Sequence, residues 1–339
     1  AQLRLGGFYT WSVVKIVPLL HRPRLFLLVS MLASAILSAV LANDIVCFAF
    51  TPVMALSLME AKLNPLPFLL GLAVSSNIGS AATIIGNPQN MLIGQVGNLD
   101  FAKFFFWCSP PSLIALCVGY LVILWIYRDR FYNPEGKKSV GRGDPRPAFD
   151  RWQTSKGIFA VVILMVLFFS SLPREISAIS IAGLLLCSRK MKTRDILVLV
   201  DWHLITLFCA LFIVIHGISQ GDYLNIIVDR LSRWGLGLQS LHVLAGISTI
   251  LSNFVSNVPA VMLLVKFLDP LEPAQWYTLA VSTTFAGNLF LLGSIANLIV
   301  VEQADNLNIK ISFAQHAAVG IPVTLLSLLC LVGWIRIAG

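Results

Sequence analysis

The sequence predicts an all-α polytopic membrane protein built from two inverted-topology repeats, with re-entrant hairpins and broken transmembrane helices. Three observations lead there. First, hydrophobic residues make up 57% of the 339 positions and charged residues only 12%, against about 25% charged in an average soluble domain. With a mean hydropathy of +0.84, the bilayer must be the solvent, because a water-soluble fold could not hide so much apolar surface. Second, a pattern of elements recurs at an offset of 207 residues, from residue 51 to 258 and from residue 86 to 293. Third, basic residues are distributed so that the two halves face opposite ways across the membrane.

The elements follow in order. Residues 8–20 are apolar and aromatic with one lysine and are too short to span, so they read as a helix lying in the interface. His21, Arg22, Pro23 and Arg24 end that helix. Residues 25–42 and 45–59 are apolar arms joined by Asn43-Asp44, the pattern of a hairpin with a buried polar tip. Residues 66–96 are long and apolar but carry Asn77, Ser80, Thr83, Gly86, Asn87, Pro88 and Asn90 in the middle. A lipid-facing helix would not tolerate that run, whereas a helix unwound where it lines a cavity would. Residues 104–127 form a plain span. Residues 128–156 are the one long polar loop and divide the halves. Residues 157–171 and 176–188 are two linking spans, within a linking region that runs from 157 to 195. The second repeat, residues 196–339, has a span at 196–217, an amphipathic stretch at 223–234 and an apolar stretch at 236–268 broken by Ser252, Asn253, Ser256, Asn257 and Pro259. A second broken helix covers 276–301 and is interrupted by Gly287, Asn288, Gly293, Ser294 and Asn297. A last span covers 317–337.

The repeat is visible in the residues. Thr51-Pro52-Val53-Met54-Ala55-Leu56 lines up with Val258-Pro259-Ala260-Val261-Met262-Leu263. Gly86-Asn87-Pro88-Gln89-Asn90 lines up with Gly293-Ser294-Ile295-Ala296-Asn297. With the basic loop 128–156 placed in the cytoplasm, the basic cluster at 189–194 falls on the same side. The first hairpin then enters from inside, beside Lys15, Arg22, Arg24 and Lys62, and the second enters from outside. That is an inverted repeat, the architecture that binds a solute at mid-bilayer between discontinuous helices. Within it, the first repeat covers residues 1–127. It lacks a counterpart of the span at 196–217, so one further N-terminal span of about 20 residues is expected.

Composition also excludes. The net charge of +8 lies largely in short loops and fits membrane topology, not nucleic-acid binding. The six cysteines sit in or beside apolar stretches without CxxC spacing and read as small buried hydrophobes. His203 and His216 lie near span ends and read as interfacial or packed side chains. No phosphate-binding GxxxxGK[ST] loop, HExxH motif or Ser/His/Asp grouping appears, which argues against an ATP-driven pump or an intramembrane enzyme. A channel would need a continuous pore, usually between symmetric subunits.

The candidate binding residues are Asn43, Asp44, Asn77, Ser80, Thr83, Gly86, Asn87 and Asn90 in the first half. In the second they are Ser252, Asn253, Ser256, Asn257, Asn288, Gly293, Ser294 and Asn297. Helix N-termini can hold an anion, and carbonyl, amide and hydroxyl oxygens can hold Na⁺. Asn43, Asp44, Asn87, Asn257 and Asn297 are the candidate Na⁺ ligands. Asp44 is the one carboxylate flanked on both sides by long apolar segments, where a charge costs about 2.5–3.5 kcal/mol. It reads as a proton carrier or cation ligand, or as a cap of the second arm.

The segment from Ser76 to Asn90, with its GNPQN run, resembles the broken-helix motif of the ion transporter superfamily. Its arsenite permease (ArsB), NhaD antiporter and citrate permease branch is the most similar, including uncharacterised bacterial anion permeases. Ala42-Asn43-Asp44 before Thr51-Pro52 is similar to the first hairpin tip of that branch. Ser256-Asn257-Val258-Pro259 and Ala286-Gly287-Asn288 through Asn297 are similar to its second half. The resemblance implies a homodimer and ion-coupled transport in the cell inner membrane, with no cofactor beyond a coupling Na⁺ or H⁺. The implied cargo is a small inorganic or organic anion, arsenite- or antimonite-like or an oxyanion, moved by alternating access. The alternative is a Na⁺/H⁺ antiporter of the NhaD type. Dicarboxylate–Na⁺ symporters of the superfamily carry Ser-Asn-Thr at both tips. Asn43-Asp44 and Ser256-Asn257-Val258 depart from that pattern and favour the arsenite or NhaD side.

Overall fold

A computed structural model describes residues 2–132, 149–170, 172–187, 194, 198, 200, 202–221 and 223–338. Sixteen α-helices are described. They are α1 (Gln2–Leu5), α2 (Phe8–Ile16), α3 (Pro23–Leu41), α4 (Asn43–Glu60), α5 (Leu66–Ser80), α6 (Pro88–Val96), α7 (Phe101–Ile126) and α8 (Arg151–Phe168). The rest are α9 (Arg174–Leu186), α10 (Trp202–Ser219), α11 (Tyr223–Arg233), α12 (Leu241–Val255), α13 (Asn257–Leu264), α14 (Pro273–Ala286), α15 (Ile295–Asp305) and α16 (Phe313–Ala338). Five of them, α3, α4, α7, α8 and α16, are long and apolar enough to cross a membrane. The fold is thus that of an all-α polytopic membrane protein.

The chain forms two compact units. One joins Ala1–Lys15 to Val140–Ala210. Here Thr154 Oγ1 donates to the Gly6 carbonyl at 3.0 Å, as does Asp150 N at 3.1 Å. The N-terminal residues are thereby tied to α8, so the first repeat drawn at 1–127 loses its first 15 residues to a different packing group. The polar loop drawn to residue 156 also ends early. Asp150 accepts from Trp152 N at 2.9 Å and Gln153 N at 3.1 Å, and this cap starts α8 at Arg151. Residues 133–148 of that loop and 189–193 of the second basic cluster lie outside the described residues.

The other unit joins Ile16–Ser139 to Leu211–Gly339 and holds every candidate site residue. Its centre is α5 and α14. From Pro67 to Ser80, and from Gln275 to Ala286, each residue is buried. A helix buried all round presents no polar stripe to water, so the polar residues of these two, Asn77 and Thr284 among them, find their partners inside the protein. Apolar packing alone draws helices together weakly in lipid, since lipid tails are as apolar as leucine. Close backbone approach and buried polar pairs do more. A Cβ on Gly79 would stand 2.3 Å from the Ala35 carbonyl oxygen of α3, so α3 and α5 touch at a point only glycine permits. Ser38 and Ser76 join the same helices at 2.8 Å, and Ser248 and Ser282 join α12 and α14 at 2.7 Å.

Both broken helices end where their polar runs begin. Helix α5 stops at Ser80 and α6 restarts at Pro88, with Asn87 as N-cap accepting from Asn90 N at 2.8 Å. Helix α14 stops at Ala286 and α15 restarts at Ile295, with Ser294 as N-cap accepting from Ala296 N at 3.2 Å. The match of 86–90 with 293–297 is therefore structural. The match of 51–56 with 258–263 is not, because Pro52 is the tenth residue of α4 and Pro259 the third of α13. The tips pair differently: Ala42 corresponds to Ser256 and Asn43 to Asn257. From tip to next broken helix the second half is seven residues shorter (43 to 66 against 257 to 273). That is two helical turns, and the shared Val-Met and Pro residues fell into alignment by coincidence.

The cysteines need a second correction. Cys47 and Cys108 are buried, but Cys117, Cys187 and Cys209 are exposed. A small apolar side chain facing lipid needs no burial in protein, so hydropathy did not separate the two cases. His216 is exposed and lies 3.1 Å from Gln220 Nε2, one turn on. The side chain of His203 lies outside the described residues.

Candidate substrate and ion site

The buried polar residues of the larger unit concentrate where the two broken helices and the two tips meet. Asn77, near the end of α5, sits at the hub. Its Oδ1 accepts from Asn43 Nδ2 at 3.1 Å and Ser294 Oγ at 2.9 Å. Its Nδ2 donates to Asn288 Oδ1 at 3.0 Å and Asn297 Oδ1 at 3.1 Å. All four positions of one amide are filled, and they link the first tip, the first broken helix and both sides of the second break.

The mirror hub is Thr284. Its Oγ1 accepts from Asn87 Nδ2 at 3.2 Å and lies 3.5 Å from Asn90 Oδ1. Residues 77 and 284, 87 and 294, and 90 and 297 are each 207 apart, so the contacts 77–294 and 77–297 recur as 284–87 and 284–90. One contact pattern is thus repeated in the two halves with the roles of the residues exchanged. The frames around them match too. Asn90 Nδ2 donates to the carbonyls of Ser80 at 3.2 Å and Thr83 at 3.0 Å. Asn297 Nδ2 donates to those of Gly287 at 2.8 Å and Phe290 at 3.4 Å. Each asparagine thus satisfies carbonyls that the break has freed.

Both tips bend through positive φ at a non-glycine residue, Ala42 at 68° and Ser256 at 76°. Asn43 N donates to the Gly86 carbonyl at 3.1 Å, and Asn253 Nδ2 donates to that of Ala286 at 3.2 Å. Each tip is held to the break of its own half. Four helix N-termini therefore gather at this junction: α4 at Asn43, α6 at Asn87, α13 at Asn257 and α15 at Ser294. Each carries about half a positive charge. Among the described residues no Asp, Glu, Lys or Arg is fully buried, and the one charged side chain at these N-termini is the half-buried Asp44 in the first turn of α4.

The halves differ at the tips. Asn43 Oδ1 accepts from Asp44 N at 3.0 Å, and Ser38 is bonded to Ser76. Asn257 is the counterpart of Asn43, and by the same tip alignment Ser252 is that of Ser38, but it is Ser248 that bonds to Ser282. Ser252 Oγ, Asn253 Oδ1 and Asn257 Oδ1 are buried without a hydrogen-bond partner. A Cβ at Gly293 would lie 3.1, 3.2 and 3.4 Å from the oxygens of Gly287, Asn253 and Ala286, so three oxygens converge on this side of the second break. Burying such atoms unpaired costs about 1–3 kcal/mol each, which a ligand that seeks oxygen would relieve.

Of the sixteen residues singled out, Asn43, Asn77, Ser80, Asn87, Asn90, Asn288, Ser294 and Asn297 form one hydrogen-bonded cluster. Thr83 and Gly86 lie in its first break, and Gly293, Asn253 and Asn257 lie at the second. Ser252 is buried one turn before the second tip. Asp44 is half-buried beside Asn43, and Ser256 is exposed. Three of the amide oxygens singled out for Na⁺, on Asn43, Asn87 and Asn297, already accept N–H donors. Thr284, Gln89 and the two serine pairs were missed. The 207 offset applied to Asn77 points to Thr284, but the change of residue type hides it.

A family model described as citrate transporter (CitMHS) matches residues 3–286. Similar proteins include a putative transporter arsB of Dictyostelium discoideum, 25% identical over 412 residues, covering 88% of this chain and 73% of its own length. The silicon efflux transporter LSI3 of Oryza sativa subsp. japonica is 28% identical over 361 residues, covering 86% and 74%. The inner membrane protein YbiR of Escherichia coli is 29% identical over 317 residues, covering 90% and 76%.

Proposed function

The chain belongs to the citrate transporter family, and from that premise we propose that it moves a small oxyanion or oxyacid, arsenite-like in size, through the junction of its broken helices, coupled to Na⁺. At the coarser level it is a multi-pass inner-membrane transporter of anions or ions and not an enzyme. The observation that supports the finer reading is the convergence of four helix N-termini on a buried cluster of neutral polar side chains, with the half-buried Asp44 as its one neighbouring charge. Such a place favours a small anion with few charges. A tricarboxylate would need cationic partners, and none is buried there among the described residues. A relative is named for silicon efflux and another for arsB, and small oxyacids suit this site better than citrate. The orphaned oxygens of Ser252, Asn253 and Asn257 are the reading's Na⁺ ligands, with Na⁺ as co-transported cargo. Alternating access would move the inverted halves about the Asn77 and Thr284 hubs.

Thermal unfolding tests the cation half. NaCl should raise the Tm of the purified protein relative to KCl at equal ionic strength, by the equivalent of about 2.7 kcal/mol at a hundred times Kd. Asn257→Leu should remove that difference. Equal Tm values in the two salts would contradict Na⁺ binding.

Asp44 separates the second reading, Na⁺/H⁺ exchange, in which its carboxylate would carry the proton. Asp44→Asn is expected to cut flux about tenfold or more, since the charge it removes sits where ions are costly, and to flatten the pH or Na⁺ dependence. Unchanged flux with unchanged ion dependence would leave Asp44 as a cap of α4 only.

A further inference from the structure

The larger unit has a second polar feature, remote in sequence from the transport cluster. A cavity of about 630 Å³ opens between the start of α3 and the segment after α7. Arg22, Arg24 and Arg128 line it, with Asp129, Leu25 and Phe131. Three guanidiniums face one carboxylate. Among the described residues none of the three arginines has an ion-pair partner. All three arginines are exposed, so their guanidiniums are free to meet an anion that enters the cavity.

The backbone that carries these arginines is held in place. Asn64 N donates to the Phe131 carbonyl at 2.9 Å, and Asn64 Nδ2 donates to the Arg130 carbonyl at 2.9 Å. The Phe131 ring packs edge-on against Phe68 at 5.6 Å. Tyr120 Oη donates to the Arg24 carbonyl at 3.3 Å. Arg22 is the N-cap of α3 and makes no side-chain cap bond, so the first N–H groups of a 19-residue helix add partial positive charge here.

The surroundings indicate what anion fits. Below the cavity, α3 and α7 present Leu32, Ile36, Leu121 and Trp125 outward, with Trp125 79% exposed. These are faces for lipid, and a tryptophan near the end of a span marks headgroup depth. Leu25, exposed on α3 like Leu32 and Ile36, continues that apolar face into the cavity wall. An occupant with an anionic head and an apolar body satisfies both parts. Arginine suits phosphate because its planar fork can donate two parallel hydrogen bonds.

We propose that Arg22, Arg24 and Arg128 form a binding site for the phosphate of an anionic membrane lipid. The test uses the full chain, purified and delipidated in a neutral detergent. Phosphatidylglycerol, phosphatidylcholine and inorganic phosphate are titrated separately, with Tm and native mass spectrometry as readouts. Phosphatidylglycerol should bind and raise Tm, and the other two should not. The R22Q/R24Q/R128Q variant should bind it about a hundredfold more weakly, at about fivefold per arginine near an anionic surface. R128K alone should keep part of the affinity. K103Q/K310Q/R336Q, which removes the same charge elsewhere, should bind as the parent does and shows that general charge is not responsible. Wild-type affinity in the arginine variant overturns the proposal. An equal shift with inorganic phosphate overturns the lipid assignment in favour of a soluble phosphate.

Discussion

Replacing Asn77 with leucine is expected to abolish transport and to destabilise the purified protein by about 3–4 kcal/mol. Leucine has the branching and heavy-atom count of asparagine but bulkier methyl groups, so no cavity is left and any strain adds to the loss. What remains is four buried partners deprived at once: Asn43 and Ser294 lose an acceptor, and Asn288 and Asn297 lose a donor. Each orphaned group costs about 1 kcal/mol at the low end of the usual range, and bilayer-embedded hydrogen bonds fall near that end. Thr284→Val is the contrasting case. Asn87 keeps Ser80 Oγ at 2.9 Å when it loses Thr284, so about 1 kcal/mol is expected. Reversible unfolding in mild detergent, with uptake into proteoliposomes, measures both. Equal effects from the two variants would show that Asn77 is not the hub.

Gly86→Ala should fail to accumulate in the membrane. The new Cβ would stand 2.2 Å from the Ser80 carbonyl oxygen and 2.7 Å from its Cα, and neither can move without opening the break. That carbonyl also accepts from Asn90. Overpacking of this kind costs about 1–3 kcal/mol or more even where side chains can yield, and here backbone meets backbone. Gly293→Ala, the same change one repeat on, should fold, because its nearest atoms lie at 3.1–3.4 Å and include a side-chain oxygen that can shift. The oxygen that shifts belongs to Asn253, so the Na⁺ concentration needed for half-maximal flux should rise about tenfold, equivalent to about 1.4 kcal/mol. Gel filtration of solubilised protein and a Na⁺ titration of uptake check the pair. Normal accumulation of Gly86→Ala would contradict the tight turn at the first break.

Much of this was legible in the sequence for a physical reason. Asn77, Asn87, Asn90, Asn288 and Asn297 stand inside stretches that lipid would otherwise solvate, and an amide there must have partners. Their clustering could be read without coordinates. The tip alignment could not. Pro52 and Pro259 share an offset with the true match at Gly86 and Gly293, yet one lies deep in a helix and the other beside a tip. A return arm shortened by seven residues leaves no mark in composition. Nor could the sequence show which serine pairs with Ser282. Ser248 and Ser252 lie one turn apart on α12, and only packing decides that Ser252 keeps an unpaired oxygen. The same limit applies to exposed cysteines, since burial in protein and exposure to lipid leave the same hydropathy.

The most direct test of the account is a paired flux measurement in proteoliposomes, following labelled arsenite and ²²Na⁺ together, in the parent protein and in Asn257→Leu. The account predicts that an imposed Na⁺ gradient drives arsenite flux, that the two labels move in fixed proportion, and that Asn257→Leu loses both. Arsenite flux that ignores the Na⁺ gradient and survives in Asn257→Leu would contradict it.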